Sequence, residues 1–342
     1  MKVSIIIPSY NREKFILETL KSVINQTSNL WDCFVVDDGS TDRTVEIITK
    51  FISEHSDYPI HYLVNSRTKG AQGARNTGII NSDGELLLFL DSDDILEPNC
   101  IENRLSKVDS FSEYDLWAFP VRLFNEKLGD SSKVWNRMNK RLNLLDRFLI
   151  HDAPWQTLGC LWRRKAILEI GMWDEKVTSL QDWDAHIQAV LSPDIKIWLN
   201  PNEKNFDAFY RVGSYDSISK KFATRKGAET NFYLVDKTLK TINKYNFSTS
   251  HLPALRRLLW IKFTLISIAD NNLGVEFYNK YKDYWNNTGF NKSLYNMYAL
   301  YRFDMKKPKL IRGIFSKLPE FFPIKDIHPR ENTCMNLTMD QL

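Results

Sequence analysis

Four short apolar runs punctuate the first hundred positions: VSIII (3–7), CFVVD (33–37), IHYLV (60–64) and LLLFL (86–90). They are aliphatic or β-branched and bounded by polar, turn-forming residues, which predicts strands buried on both faces. Between them the apolar positions recur at helical spacing. Ile16, Leu20, Val23 and Ile24 share one face of a first helix, and Val45, Ile48, Phe51 and Ile52 share one face of a second, which Ser40 or Thr41 is placed to cap. Such alternation of strand and helix predicts an α/β domain with a mostly parallel sheet flanked by helices. In sheets of that kind ligands bind beyond the carboxyl ends of the strands.

The pattern becomes mixed from 111 to 212, with strand candidates at 116–119, 195–199 and 206–212 and a helix opening near Gln181. These are expected to complete the same sheet. From Arg225 helical spacing dominates: Phe232, Val235, Leu239 and Ile242, then Leu255, Leu258, Leu259, Phe263 and Ile266, then aromatic-rich segments up to Phe303. The expected organisation is an α/β domain over 1–222 and a helical C-terminal region over 223–342. Within the latter, KKPKLIRGIFSKLPEFFPIK (306–325) mixes basic residues with Leu, Ile and Phe. It reads either as a solvated tail or as a basic amphipathic surface suited to anionic lipid.

Composition narrows the class. A chain of 342 residues with 43% hydrophobic content can bury one large α/β core with an appended module. The balance of 46 basic against 42 acidic residues, +4 in all, is too mild to point to nucleic acid. Cys33, Cys100, Cys160 and Cys334 form no CxxC pair, so free thiols in a reducing compartment are expected. The start, MKVSIIIPSY, enters a strand-like run without the apolar region and cleavage site of a secretory signal, and no stretch reaches the roughly 20 apolar residues of a membrane span. The expectation is a cytoplasmic protein, at most peripheral at the inner face of the membrane.

Three strand ends carry the candidate chemistry: Pro8-Ser9-Tyr10-Asn11, Asp37-Asp38-Gly39-Ser40 and Asp91-Ser92-Asp93-Asp94. In a parallel sheet all three crowd one edge. Adjacent carboxylates repel, and such a cluster persists where a cation balances it. A hard divalent ion, Mg²⁺ or Mn²⁺, prefers oxygen ligands and is often held by one or two carboxylates plus substrate phosphates. An isolated DxD is more often an acidic turn in water; two further polar strand ends beside it favour a metal–diphosphate site. The chain has no GxGxxG, and Ile79 and Ile80 stand where a P-loop spaced on Gly73 and Gly78 would need Lys and Ser or Thr. The histidines show no HxxxH or HExxH spacing and give no zinc signal.

Six motifs in order, VSIIIPSYNR (3–12), VVDDGSTDRT (35–44), GARNTGI (73–79), LLLFLDSDDILEPN (86–99), IGMWDE (170–175) and QDWD (181–184), resemble the inverting nucleotide-sugar glycosyltransferases of family 2, which have the GT-A fold. The resemblance covers about 2–219. It implies transfer of a sugar from a nucleotide-sugar donor, a UDP-sugar above all, to a hydroxyl of a glycan or lipid-linked glycan, as in cell-surface polysaccharide synthesis. By the same resemblance Pro8 and Tyr10 would line the base pocket, Asp38 would accept a hydrogen bond from the base, and Arg75 would lie near the base or diphosphate. Asp91 would sit at the ribose and metal shell, Asp93 would ligate Mn²⁺ or Mg²⁺ directly, and Asp94 is a further candidate for that work. Inverting transfer needs a base on the acceptor side. The family commonly uses the Asp of a Glu-Asp pair; here the pair reads Gln181-Asp182, so Asp182 is the candidate base and Asp184 a helper. The alternative for both is an acidic first turn favoured by the helix dipole.

Arg211, in YRVGSYDSIS, stands where related sequences often carry a basic residue facing the diphosphate; an ordinary surface arginine is the alternative. Trp155, Trp162, Trp173 and Trp183 fit either a sugar-stacking platform or the core, and core is the commoner use. Two rival functions remain open on sequence grounds. One is a phosphohydrolase with its nucleophile at Asp91, against which stands Ile95 where Thr or Val is usual. The other is a non-catalytic nucleotide- or glycan-binding module, which Gln181 makes conceivable.

Overall fold

A computed structural model describes residues 1–138, 142–202, 204, 206–213, 224–245 and 248–286. In chain order the elements are β1 (Val3–Ser9), α1 (Ile16–Ile24), β2 (Trp31–Asp37), α2 (Thr44–Glu54), β3 (Ile60–Val64), α3 (Ala71–Asn81), β4 (Leu86–Phe89), β5 (Ile95–Leu96), α4 (Cys100–Ser110), β6 (Leu116–Ala118) and β7 (Arg122–Phe124). There follow α5 (Leu144–Leu149), β8 (Cys160–Arg163), α6 (Arg164–Glu169), α7 (Gln181–Leu191), β9 (Ile197–Leu199), β10 (Ala208–Arg211), α8 (Arg225–Lys244), α9 (Leu252–Ala269), α10 (Asn271–Tyr281) and α11 (Asp283–Asn286).

The described chain divides into two compact units. The first holds the described residues of Met1–Arg141 and Asp152–Ser217, the second those of Leu142–His151 and Ile218–Asn332. In the first unit a seven-stranded sheet runs in the order β3-β2-β1-β4-β8-β6-β9. Strands β1 to β4 are mutually parallel where they pair, and β8 lies antiparallel to both β4 and β6. Every residue of β1 and β2 is buried, and apart from Ser4, Ser9, Asp32 and Asp37 they are apolar without regular alternation. The fold is thus the mainly parallel, helix-flanked α/β architecture expected of a GT-A enzyme.

Parallel register brings the three polar strand ends to one edge. Ser9 pairs with Asp37, and Ile6 pairs with Phe89 one residue before Leu90, whose N–H donates to the Ile6 carbonyl. Pro8 lies beyond the last β1–β4 pair, so its missing N–H interrupts no ladder bond on that side. The strand over 206–212 departs from expectation. Its core, β10, joins a separate three-stranded sheet in the order β5-β10-β7 instead of completing the large one. There it pairs antiparallel with β5, which follows the DSDD turn, and parallel with β7.

Helix α2 is not capped by Ser40 or Thr41. Arg43 occupies its N-cap without a side-chain bond, and Asp42 Oδ1 accepts from the Thr44 N–H at 3.0 Å instead. Ser40 Oγ accepts from the Asn11 N–H at 2.9 Å, so its hydroxyl joins two loops rather than opening a helix. Trp155, Trp162, Trp173 and Trp183 are all buried, which makes them core and not platform.

The second unit is helical. Phe232, Val235, Leu239 and Ile242 of α8 and Leu255, Leu258, Leu259, Phe263 and Ile266 of α9 are buried, as their spacing predicts. Within it α5 packs on α9, and His251 Nδ1 meets Asp146 Oδ1 at 2.8 Å. Lys262 of α9 is fully buried and donates to Asn231 Oδ1 at 2.8 Å; burial lowers its pKa to about 7. Among the described residues no helix is long and apolar enough to cross a membrane. Cys33, Cys100 and Cys160 are free and buried. Cys334, the aromatic run to Phe303 and the basic tail 306–325 lie outside the described residues.

Glycines of α3 explain how closely that helix lies on the sheet. A Cβ on Gly78 would come within 2.4 Å of Ile6 Cγ2 on β1, and one on Gly73 within 1.8 Å of the Thr68 carbonyl oxygen. Gly78→Ala should therefore destabilise the first unit by about 1–3 kcal/mol through overpacking. Thermal denaturation checks this, and Ile6→Ala in the same chain should restore part of the loss; a melting temperature equal to the parent's would contradict the close approach.

Candidate functional site

The DSDD segment closes a turn in which the Asp94 N–H donates to the Asp91 carbonyl at 3.0 Å. The turn sorts its three carboxylates. Asp91 and Asp93 are half-buried, while Asp94 points inward and is 1% exposed. Asp94 Oδ1 accepts the Arg211 backbone N–H at 2.9 Å, and its Oδ2 is buried with no hydrogen-bond partner. Burial, with Asp93 and Asp91 alongside, pushes the Asp94 carboxyl well above the usual range despite the pull of Arg211. Asp94 is therefore a poor candidate for a solvent-facing ligand.

Asp91 is paired. Arg75 Nη2, from α3, donates to Asp91 Oδ1 at 2.6 Å, and its Nη1 donates to Gln181 Oε1 at 3.2 Å. The guanidinium lies 4.5 Å over the Trp173 ring and is 5% exposed, with Nε buried and unpartnered. Gln181 Nε2 in turn donates to Gln72 Oε1 at 2.6 Å. One chain of contacts thus runs from the end of β4 to the first turn of α7.

Helix α7 begins after Leu180, whose left-handed backbone (φ 60°) is an uncommon conformation for a bulky residue and offers no side-chain cap. Burial raises the Asp182 pKa, the Trp183 N–H and the Arg75 charge lower it, and Asp91 adds to the rise; the balance is upward. Asp184 is buried at 2% exposure, on the covered side of the helix.

Pro8 is buried at the end of β1, whereas Tyr10 is 42% exposed with Lys69 Nζ 4.7 Å over its ring. Asp38 is held by the 65–70 loop: Oδ1 accepts from Asn65 Nδ2 at 2.6 Å and Oδ2 from the Gly70 N–H at 2.8 Å. The structure therefore links Asp91, Arg75 and Asp182 in one network and Tyr10, Asp38 and the 65–70 loop in another. Arg211 is not a surface residue. It is 6% exposed and its side chain reaches the turn from below.

Several residues of these networks carry no assignment from sequence. Glu175 fastens the 65–70 loop, accepting from Arg67 Nε, from the Thr68 N–H at 3.2 Å and from Asn76 Nδ2 at 2.9 Å. Asn76 also brackets Trp173, donating to its carbonyl at 2.8 Å and accepting its N–H at 3.0 Å. Both lie within motifs already singled out, GARN and WDE, which were the available signal. Beside β7 a cavity of about 300 Å³ is lined by Leu123, Asn125, Asp130, Ser131, Lys133 and Val212 among others.

Residues 4–170 match the family model for Glycosyl transferase family 2, and that segment of the chain belongs to the family. Over 104 residues, 30% of this chain and 40% of the relative, it is 44% identical to the UDP-Glc:alpha-D-GlcNAc-diphosphoundecaprenol beta-1,3-glucosyltransferase WfgD of Escherichia coli. It is 34% identical to the glycosyltransferase GlyA of Streptococcus pneumoniae over 155 residues, 42% of this chain and 22% of that protein. The chain thus spans less than half the length of these curated relatives. Among solved structures, S. aureus TarS 1–349 in complex with UDP-GlcNAc shares the fold with a TM-score of 0.58 at 18% identity, covering 83% of this chain and 88% of that one. The mannosyltransferase PcManGT of Pyrobaculum calidifontis, in complex with GDP-Man and Mn²⁺, does so with a TM-score of 0.54 at 14% identity over 94% of this chain and 84% of that one. The family match includes the DSDD turn and leaves the phosphohydrolase reading without support.

Burial alone would raise the Glu175 pKa, but hydrogen bonds from Thr68, Asn76 and Arg67 outweigh it and bring the carboxyl down to about 2. A depressed folded-state value contributes stability above the unfolded value, 4.5, and loses it as pH falls towards 2. Glu175→Gln should accordingly be less stable than the parent at pH 6, with the gap narrowing as pH drops through that window. Denaturant unfolding at a series of pH values measures it; a gap independent of pH would exclude the ionised carboxylate as the source.

Proposed function

We propose that the protein is a metal-dependent inverting glycosyltransferase that moves a sugar from a UDP-sugar to a hydroxyl of a glycan or lipid-linked glycan in cell-surface polysaccharide synthesis. The observation that carries this is the convergence of Asp91, Arg75 and Asp182 at the carboxyl edge of a parallel sheet, in a segment that belongs to family 2. The named relatives act in that chemistry: WfgD is a UDP-Glc-dependent glucosyltransferase with a diphosphoundecaprenol-linked acceptor, and TarS binds UDP-GlcNAc.

The donor set fits a hard divalent cation. Two half-buried carboxylates, Asp91 and Asp93, stand on one turn, while Asp94 is buried beneath them. Among the described residues no group of three or more His, Cys, Asp or Glu side chains forms a cage for an ion. That agrees with the mode in which one or two carboxylates and the donor's phosphates share the coordination. Mn²⁺ or Mg²⁺ held by Asp93, with Asp91 at its edge, would supply charge stabilisation for the departing nucleoside diphosphate.

The chain's own residues supply the rest. Tyr10 presents an exposed ring for the base, over the buried Pro8, and Asp38 retains lone pairs for a base N–H while anchoring the 65–70 loop. Arg75 holds Asp91 through a charged hydrogen bond of 2.6 Å. Asp182 takes the proton of the acceptor hydroxyl as that oxygen attacks the anomeric carbon opposite the leaving group. Its raised pKa makes it a stronger base than an ordinary aspartate. The basic segment 306–325, outside the described residues, would hold the enzyme near a lipid-linked acceptor at the inner membrane face.

Removing the base should cost about 10²–10⁴-fold in kcat. Asp182→Ala and Asp93→Ala, each shown to be folded by circular dichroism, are expected to lose sugar transfer, the second together with Mn²⁺ activation. In the parent, kcat/KM should rise with pH along an acid limb centred above 3.8, the ordinary aspartate value. Transfer by folded Asp182→Ala at the parental rate would remove it from the chemistry.

A further inference from the structure

The DSDD turn is held from beneath by a buried side chain. Arg211 ends β10, and its backbone N–H donates to Asp94 Oδ1 at 2.9 Å. Its Nε donates to the Asp93 carbonyl at 2.9 Å, Nη1 to the carbonyls of Asn125 and Glu126 at 3.3 Å each, and Nη2 to Glu18 Oε2 at 2.5 Å. The guanidinium lies between two rings, 4.3 Å over Phe124 and 5.0 Å over Phe15. Of the five N–H donors of a guanidinium, these bonds use four. Such a side chain is not presented to an incoming diphosphate. It is committed to the backbone on which the ligating carboxylates stand.

Other side chains hold the turn as well, Arg75 among them through Asp91. Thr19 Oγ1 donates to the Asp94 carbonyl at 2.9 Å, and the Leu96 N–H bonds Ser22 Oγ at 3.2 Å. Arg211 touches both Asp93 and Asp94, once through a carbonyl and once through a carboxylate. It also brings a fixed positive charge under three acids that repel one another. A lysine could supply the charge but not the planar fork that fixes three directions at once.

We propose that Arg211 is a positioning residue that sets the orientation of Asp93 for the metal–diphosphate complex from below the turn, without itself contacting the diphosphate. This rests on the glycosyltransferase reading of the site above. It accounts for a basic residue at this position by a different contact from the one the family resemblance suggests, and it ties the wall of the Asn125 cavity to the same turn.

The test is calorimetric binding of UDP to the full chain, with saturating Mn²⁺ and in EDTA, for the parent, Arg211→Lys and Glu18→Gln. Electron paramagnetic resonance of Mn²⁺ in the presence of UDP gives a second readout, and thermal denaturation establishes that each variant is folded. Arg211→Lys should lose about 10- to 100-fold of the Mn²⁺-dependent affinity, as for other residues that orient metal ligands, while UDP binding in EDTA stays within about twofold of the parent. Glu18→Gln, which changes only a half-exposed partner, should shift Mn²⁺ dependence in the same direction by a smaller factor. Should Arg211→Lys not fold, Glu18→Gln decides alone, and parental Mn²⁺ dependence in it overturns the proposal. Equal weakening of Arg211→Lys with and without metal would mean a direct diphosphate contact, and parental behaviour in both would mean no role; either result overturns it. A parent that binds UDP no better with Mn²⁺ would overturn this inference and the metal-dependent reading together, whereas a metal-responsive parent whose variants respond to Mn²⁺ just as it does isolates the failure to Arg211.

Discussion

Three carboxylates within four residues cannot share one environment, and the way the DSDD turn separates them governs much of the first unit. Asp94 goes into the protein, where Arg211 meets it through a backbone N–H. Asp91 goes to Arg75 on α3. Asp93 stays half-buried between them, and its carbonyl is held by the same arginine that meets Asp94. Each choice recruits an element: β10 must run beside β5 to bring Arg211, and α3 must lie close on the sheet to bring Arg75. The small sheet β5-β10-β7 and the glycine-rich face of α3 are in this sense consequences of one concentration of charge.

Helix α3 shows how such a demand shapes sequence. Its positions 72–79 are all buried, yet they include Gln72, Arg75, Asn76 and Thr77. A buried polar helix is stable only when those groups are satisfied. Gln72 reaches Gln181, Arg75 reaches Asp91, Asn76 brackets Trp173 and Thr77 Oγ1 donates to Asn65. Gly73 and Gly78 permit the approach that makes these bonds short. Apolar periodicity reads such a helix poorly because its inward face is built from amides and a guanidinium.

What the sequence discloses and what it withholds follow from range of contact. Strand β3 runs over the expected 60–64, though at the sheet edge it leaves His61 and Val64 exposed, and β1, β2 and β4 fall within a residue or two of expectation, because strands buried on both faces are largely apolar. The convergence of the three polar strand ends follows from parallel register alone. Asp182 at the start of a helix is likewise local. By contrast, β10 leaving the main sheet and α5 belonging to the helical unit depend on partners more than a hundred residues away in the first case and about as far in the second. Arg211 illustrates the limit: its neighbours Asp93 and Glu18 are separated from it by 118 and 193 positions, and nothing in YRVGSYDSIS indicates that it faces inward.

The Gln181-Asp182 pair acquires a physical sense from these contacts. An amide can give and take at once, and Gln181 does both, accepting from Arg75 Nη1 and donating to Gln72 Oε1. A carboxylate in its place would accept from Arg75 with a full charge, competing with Asp91 for the same guanidinium, and would have no donor for Gln72. It would also add a second negative charge beside Asp182, whose pKa burial and Asp91 already raise and Arg75 holds back. With a neutral residue at 181, the one cation of this network remains shared between Asp91 and Asp182. The departure from the usual acidic pair thus leaves Asp182 without a second carboxylate beside it and gives Gln72 a donor that a glutamate would lack.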